Sequence, residues 1–244
     1  MPTLLAVIPH PDDESYSFGG TIALAARAGW RCVVACASSG EKGKRHDGGS
    51  LSDTGSAREA ELAASCSVLG AQPPRFWRLP DGGLAAVPDG RAWVEKELIE
   101  VRPELVLALG ADGAYGHPDH IAVHRWVQAA LRGRELQTLY AAFPRGLFLP
   151  QYEKCISMMG QPPSPAEGEI GVDSWDVDVD VLWVREAKLS AIAAHRSQLP
   201  GGEPEALFPP GLVAATLTPE RFVVRRRRMV QRAWATLAAL SGTF

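Results

Sequence analysis

The sequence has no apolar run of about 20 residues, the length that a membrane-spanning helix requires. It contains no G-x-G-x-x-G motif and no excess of basic residues, because 25 lysines and arginines stand against 28 acidic residues. These absences exclude a membrane-spanning protein. They also argue against a nucleotide-binding phosphate loop and against a nucleic-acid-binding surface.

The four cysteines include no C-x-x-C pair. We therefore expect buried free thiols in a reducing compartment. Residues 1–4 also lack the basic and long apolar regions of a secretory signal peptide. Together these features predict a cytoplasmic protein.

The composition that remains is that of a globular protein, with 46% hydrophobic and 22% charged residues in a chain of 244. Short apolar runs, typical of buried strands, alternate with Ala/Leu-rich helical segments that end at glycine. This order predicts an α/β fold with a mostly parallel central sheet and helices on both faces. The predicted strands are 3–8, 31–37, 75–78, 104–109 and 137–142, and the predicted helices are 16–28, 54–69, 89–101 and 118–132.

The last third of the chain has a weaker pattern and predicts a smaller, irregular C-terminal part. Residues 176–181 alternate strictly, as a half-exposed strand does. We expect a helix over 184–194, an edge strand over 221–224 and a closing helix over 229–240. No repeat or linker interrupts the sequence, so residues 1–244 are interpreted as one domain.

Two similar motifs follow two of the predicted parallel strands. The first, PHPDDE, covers 9–14, and the second, YGHPDH, covers 115–120. Ligands of such folds bind beyond the carboxyl ends of the strands. We therefore expect both motifs to contribute to one site.

The residue types of the two motifs indicate a catalytic metal. Imidazole and carboxylate groups suit zinc, and a catalytic site keeps three protein ligands and an open position. His10 and Asp13 are three residues apart on a turn, and His120 at a helix start could supply the third ligand. Two histidines and one carboxylate also accept Fe²⁺ or another divalent metal, so the metal itself stays open.

Asp12 would then be free to act as a general base toward water. Attack on an amide carbonyl develops an oxyanion, and His117 and Tyr115 are candidates to stabilise it. The simpler interpretation is that the motifs form only a turn and a helix cap, and that Asp12 merely accepts a hydrogen bond from a ligand histidine.

With these motifs the sequence resembles the LmbE/PIG-L family of metal-dependent de-N-acetylases. The similarity extends over about residues 4–198. Its further matches are Ser39-Gly40-Glu41, Arg58 with Glu61, Leu69-Gly70, Asp81, and Lys188 with His195-Arg196-Ser197-Gln198.

The resemblance implies a Rossmann-like α/β sandwich and a hydrolase that removes acetyl from an N-acetylglucosamine-type sugar or its conjugate. It implies a small amino-sugar substrate, a zinc cofactor and a possible homo-oligomer. The implied roles are metal ligands at His10, Asp13 and His120, the base at Asp12, transition-state groups at His117 and Tyr115, and a substrate contact at Arg58.

Alternatives remain beside this interpretation. Arg58 could simply pair with Glu59 or Glu61 along its helix. The substrate could be a larger amide in a thiol–sugar conjugate, and a non-catalytic sugar- or metal-binding protein could share the fold. Segments 38–53 and 144–175 are expected at the mouth of the site, and their specificity cannot be deduced from the sequence. The run Arg225–Arg228 is interpreted as a solvated face.

Overall fold

The computed structural model describes residues 1–159, 169–225, 235, 236 and 238. A seven-stranded sheet forms the centre, in the order β3-β2-β1-β4-β5-β7-β6. Strands β1 to β5 are parallel, whereas β7 pairs antiparallel with both β5 and β6. The strands are β1 Thr3–Ile8, β2 Arg31–Ser38, β3 Arg75–Leu79, β4 Leu105–Ala108, β5 Gln137–Ala141, β6 Val177–Val179 and β7 Glu220–Val224.

Helices connect the parallel strands. They are α1 Asp13–Arg27, α2 Thr54–Val68, α3 Gly90–Val101, α4 Gly113–Gly116, α5 Pro118–Ala130, α6 Leu149–Met159, α7 Arg185–Ala194 and α8 Leu212–Leu217. Within the described ranges, none of these helices has the length and apolar character needed to cross a bilayer.

Both faces of the sheet are covered, which explains the continuous apolar strands of the sequence. Alternate residues of β1 point to opposite faces. Leu4 and Ile8 join a core that includes Phe18 of α1, whereas Leu5 packs on the other face in a core that includes Val94 of α3. The predicted α/β fold with a mostly parallel sheet is therefore confirmed.

The prediction of an edge strand over 221–224 is wrong. Strand β7 lies inside the sheet, between β5 and β6, and the edge is the three-residue strand β6. Antiparallel strands at an edge and inside a sheet share the same alternation of side chains, so the sequence pattern cannot distinguish them. The predicted strand over 176–181 is also shorter in the structure, because the Asp180 carboxylate accepts a hydrogen bond from the amide of Leu182 and starts a turn.

Two other predictions concern the C-terminal segment. The closing helix over 229–240 lies outside the described residues, apart from three isolated positions. Of the arginine run, Arg225 is described, and its guanidinium donates to the carbonyl oxygen of Leu131 at the end of α5. Arg225 is therefore more than a solvated charge.

Candidate active site

The two motifs meet at the carboxyl ends of neighbouring strands. Strand β1 pairs in parallel with β4, so the turn before α1 and the segment that leads into α5 leave the sheet side by side. Helix α1 begins at Asp13, three residues earlier than the sequence pattern predicts. The first motif is thereby compressed into a tight turn whose side chains face the second motif.

His10, Asp13 and His120 are brought together in this turn. Nδ1 of His10 lies 3.4 Å from Oδ2 of Asp13, and Nε2 of His120 lies 3.4 Å from Oδ1 of Asp13. One ligand atom from each of the three residues lies within 4.8 Å of the others, so the group could hold a metal ion.

The chemical state of His120 fits such an ion. Its side chain is buried, and within the described part of the chain its Nε2 atom makes no hydrogen bond. Burial, assisted by the neighbouring His10, holds the pKa of His120 well below the usual value, so the ring is neutral. A buried imidazole nitrogen without a hydrogen bond is costly, and the neutral ring is the form that binds a divalent cation.

The other ring nitrogen of His10 faces two carboxylates. Nε2 lies 3.2 Å from Oδ1 of Asp81 and 3.2 Å from Oδ2 of Asp119. Burial lowers the pKa of His10, but hydrogen bonds to Asp119, Asp13 and Asp81 outweigh it and raise the pKa well above the usual value. The carboxylates thus stabilise positive charge at His10, and a bound cation would supply that charge in place of the proton. Carboxylates bound to Nε2 fix the orientation of the His10 ring, so that Nδ1 faces the other two residues of the possible metal site.

Asp119 belongs to the second motif and is a site residue for which the sequence predicted no separate role. Its carboxylate also accepts hydrogen bonds from the amides of Gly82 and Leu84, at 2.7 and 3.0 Å. A second possible metal group consists of His10, His117 and Asp119. Both oxygens of Asp119 are already engaged by these amides, which favours the group that contains Asp13.

Asp12 lines the same cavity beside Asp13. Its backbone adopts φ 116°, a conformation that L-residues rarely occupy. Its Oδ2 accepts a hydrogen bond of 3.1 Å from Nη2 of Arg58. Burial raises the pKa of Asp12 to about 6, against the opposing effect of the Arg58 charge.

Arg58 lies on α2, is buried and lines the cavity. Besides Asp12, its guanidinium donates to the carbonyl oxygens of Gly40 and Pro11, at 3.0 and 2.5 Å. Arg58 therefore holds the turn that carries Asp12, and it does not form the predicted alternative pair along its own helix. Glu59 instead pairs with Arg78.

Tyr115 and His117 belong to the second motif, and their rings lie next to that of the possible ligand His120. Their rings lie 5.3 and 4.7 Å from the ring of His120, measured between centroids. Nδ1 of His117 accepts a hydrogen bond from the amide of Asp119. Burial is the main cause that lowers the pKa of His117 to about 3, and the proximity of two other imidazoles lowers it further, so this ring is neutral.

The residues with a predicted role in the site line one cavity of about 330 Å³; they are His10, Asp12, Asp13, Arg58, Tyr115, His117 and His120. The two segments expected at its mouth both contribute, 38–53 through Lys42 and 144–175 through Phe148, Gln151 and Lys154. Phe143 also lines the cavity and adds apolar surface to it.

Gln198 and Phe208 line the cavity and come from the irregular C-terminal part, far along the chain from both motifs. Gln198 belongs to the segment that resembles the family, although the sequence predicted no role for it, whereas no sequence signal pointed to Phe208. Trp175, at the end of the segment 144–175, does not line the cavity, and its ring packs under the guanidinium of Arg221.

Glu14 and His195 lie behind the cavity. Both are buried, and Nε2 of His195 lies 2.8 Å from Oε1 of Glu14. His195 belongs to the C-terminal segment that resembles the family, and the structure places it as a buried group beside the site. Glu14 ends the first motif, lies in the first turn of α1 and accepts a hydrogen bond from the amide of Asp12.

Comparison with known proteins gives two sequence-level findings. The family model described as PIG-L, GlcNAc-PI de-N-acetylase, matches residues 5–131 of the 244. A 1D-myo-inositol 2-acetamido-2-deoxy-alpha-D-glucopyranoside deacetylase of Rhodococcus opacus is 32% identical over 276 residues, covering 94% of this chain and 93% of that protein.

Solved structures resemble the whole fold. A conserved protein of Thermus thermophilus is 26% identical and superposes with a TM-score of 0.62. The alignment covers 93% of this chain and 96% of that protein. A 4-carboxy-2-hydroxymuconate hydratase of Pseudomonas putida has a TM-score of 0.67 at 20% identity, over 93% of this chain and 98% of its own. The fold thus also occurs in an enzyme of another reaction class, and function has to be argued from the site.

Proposed function

Because this chain belongs to the PIG-L family of GlcNAc-PI de-N-acetylases, we propose that it is a hydrolase that removes the acetyl group from an N-acetylated amino sugar or its conjugate. The substrate class is that of N-acetylglucosamine. The observation that carries the proposal is the group His10, Asp13 and His120 with the separate carboxylate of Asp12 beside it, in one cavity.

We propose His10, Asp13 and His120 as the ligands of the metal, and zinc as the native ion. Two imidazoles and one carboxylate form a ligand set typical of catalytic zinc, although Fe²⁺ accepts the same donors. The absence of a hydrogen bond at Nε2 of His120, its position 3.4 Å from Oδ1 of Asp13, and the orientation of His10 by Asp119 support this assignment. When bound, the cation supplies Lewis acidity, which polarises a carbonyl group and makes water more acidic.

Asp12 is proposed as the general base and then the general acid. It takes a proton from the attacking water as the water oxygen bonds to the amide carbonyl carbon. The C–N bond then breaks, and Asp12 delivers that proton to the departing nitrogen. The products are acetate and the free amine. A protein that only bound a sugar or a metal would have no use for this second carboxylate.

His117 and Tyr115 are proposed to stabilise the negative charge on the former carbonyl oxygen. Since Nδ1 of His117 accepts a backbone N–H, the neutral ring carries its proton on Nε2. That Nε2–H can donate to an oxyanion. The Tyr115 ring lies 5.9 Å from the His117 ring at an interplanar angle of 90°, and both residues line the cavity.

The sugar is proposed to lie between the metal group and the aromatic side chains of the cavity. Phe143, Phe148 and Phe208 line the same cavity. Arg58 also lines the cavity, which supports the proposed substrate contact, and its bonds to Pro11 and Asp12 support a second role in holding the base.

The experiment is an assay of two products. Metal-stripped protein reloaded with zinc is incubated with N-acetylglucosamine and with 1D-myo-inositol 2-acetamido-2-deoxy-alpha-D-glucopyranoside, and both acetate and free amine are measured. Equal release of both, abolished by chelation and by Asp12→Asn, is the expected result. Activity only on a conjugate with a longer acyl group would favour the amidase alternative. Stoichiometric metal binding without cleavage of any amide would overturn the proposed hydrolase.

A further inference from the structure

The backbone of Asp12 is held in a strained conformation. Its φ of 116° with ψ −31° lies in the region that favours glycine, yet the residue carries a side chain. Such a conformation persists only where the surroundings impose it. The contacts that impose it therefore determine where the Asp12 carboxylate points.

Contacts hold this residue from both sides. Its carbonyl oxygen accepts hydrogen bonds from the amide and the hydroxyl of Ser15, at 3.0 and 2.8 Å. On the other side, its amide donates to Oε2 of Glu14 at 3.0 Å. Arg58 binds the preceding carbonyl oxygen and the Asp12 carboxylate itself. Glu14 is thus the group that fixes the orientation of the Asp12 amide.

The second carboxylate oxygen of Glu14 is anchored to other elements. Oε1 accepts a hydrogen bond of 2.5 Å from the hydroxyl of Ser65 on α2 and lies 2.8 Å from Nε2 of His195, directly after α7. Glu14 is 0% exposed and His195 is 1% exposed. A carboxylate whose purpose was only to favour a helix N-terminus would remain near solvent; this one instead joins three separate elements.

We propose that Glu14 and His195 are a positioning pair for Asp12. His195 and Ser65 fix one oxygen of Glu14, and the other oxygen holds the Asp12 amide, so that the strained turn aims the Asp12 carboxylate into the cavity. The inference rests on the proposed function for the role of Asp12, whereas the coupling between Glu14 and the backbone of Asp12 can be tested without it. Glu14 and His195 are proposed to act through Asp12, without contacting the substrate.

A double-mutant cycle tests the coupling. Glu14→Ala removes both anchors and is expected to lower kcat about 10- to 100-fold, the range for residues that orient a catalytic group, with little change in KM. Asp12→Asn is expected to lower kcat further. In the Asp12→Asn background, Glu14→Ala should have no additional effect on the residual rate. If the double variant loses kcat by the product of the two single losses, the proposal is overturned.

Conservative variants keep the test decisive if Glu14→Ala does not fold. Glu14→Gln retains an oxygen for the Asp12 amide, and His195→Gln retains a donor toward Glu14. Each should keep more of kcat than the corresponding alanine variant, with metal stoichiometry unchanged. Glu97→Ala is the matched control, because Glu97 is also a buried carboxylate but pairs with Trp77 and Arg75 away from the cavity. It should lower stability without lowering kcat.

A crystal structure of Glu14→Gln and of His195→Ala separates this inference from the proposed function. We expect φ of residue 12 to leave the positive region in His195→Ala and to stay there in Glu14→Gln. An unchanged Asp12 in His195→Ala would overturn the positioning role, whatever the assay gives. A wild-type protein that cleaves no amide, together with a relaxed Asp12 in His195→Ala, would overturn only the proposed function.

Discussion

Nε2 of His10 lies 3.2 Å from Oδ2 of Asp119, although 109 residues separate them along the chain. The contact joins the motif after β1 to the motif that begins α5. Because Asp119 also binds the amides of Gly82 and Leu84, it ties in the loop that follows β3 as well. The proposed ligand His10 is therefore oriented by the folded sheet before any metal binds.

Asp119→Asn is expected to weaken metal binding about 10- to 100-fold, because the amide retains one oxygen but loses the charge that orients the His10 ring. Competition with a chelator of known affinity measures the change. Asp112→Asn serves as the control, since the Asp112 carboxylate binds the amides of Ala114 and Gly171 instead of a proposed ligand. Equal affinities of the two variants would contradict the orienting role.

His120→Ala and His124→Ala form a matched pair on α5. Both histidines are buried and lie one turn apart, but Nδ1 of His124 bonds the carbonyl oxygen of Leu109. We expect zinc to stabilise wild type and His124→Ala, by about 2.7 kcal/mol when free zinc is 100 times its Kd. His120→Ala should lose that stabilisation. Thermal unfolding at several zinc concentrations measures both, and a zinc response retained by His120→Ala would exclude it as a ligand.

Asp12→Asn is expected to lower kcat about 10²- to 10⁴-fold, because it removes the proposed proton acceptor and leaves the ligand group intact. Acetate release under metal saturation measures the rate, and elemental analysis of the same sample measures bound metal. A variant that binds one metal and keeps the wild-type rate would remove Asp12 from the chemistry.

Much of the parallel core could be predicted, because strands buried on both faces give unbroken apolar runs that differ from helices. The convergence of the two motifs on one site could also be predicted, because each motif follows a parallel strand and parallel strands bring their carboxyl ends to one edge of the sheet. The order of the antiparallel strands could not be predicted. Val177–Val179 and Glu220–Val224 show alternation that fits either an edge or an interior position.

The contributions of polar residues to the site were harder to predict than its motifs. PHPDDE presents three consecutive acids, and nothing in their spacing shows that Glu14 is fully buried while Asp12 lines the cavity. Gln198 and Phe208 reach the cavity from segments without a regular pattern. Tertiary packing determines these positions, and periodicity carries no information about it.

Arg58→Lys is expected to lower kcat and stability together. The planar guanidinium donates to Gly40, Pro11 and Asp12 at once, and a single ammonium cannot reproduce that geometry. Loss of hydrogen bonds to a buried charged group costs about 1.5–3 kcal/mol. Urea unfolding and acetate release measure the two effects. A variant with lower stability and unchanged kcat would show that Arg58 stabilises the fold and does not contribute to catalysis.

Lys188 and Glu220 form a fully buried ion pair that links α7 to β7, with Nζ 2.7 Å from Oε1. Glu220 also accepts hydrogen bonds from the amides of Gly20 and Thr21 within α1, so its charge is compensated from two sides. Lys188→Met leaves this carboxylate without its cation in an apolar interior. We expect a loss of about 3–5 kcal/mol in the free energy of unfolding, measured in urea.

The double variant Lys188→Met with Glu220→Gln decides whether the loss comes from the uncompensated charge or from lost packing. If charge dominates, removing the carboxylate as well restores part of the stability, because a neutral glutamine costs less to bury than an unpaired carboxylate. The amides of Gly20 and Thr21 would still find an oxygen at residue 220. A double variant less stable than Lys188→Met alone would show that packing and the hydrogen bonds of Glu220 to α1 contribute more than the balance of charge.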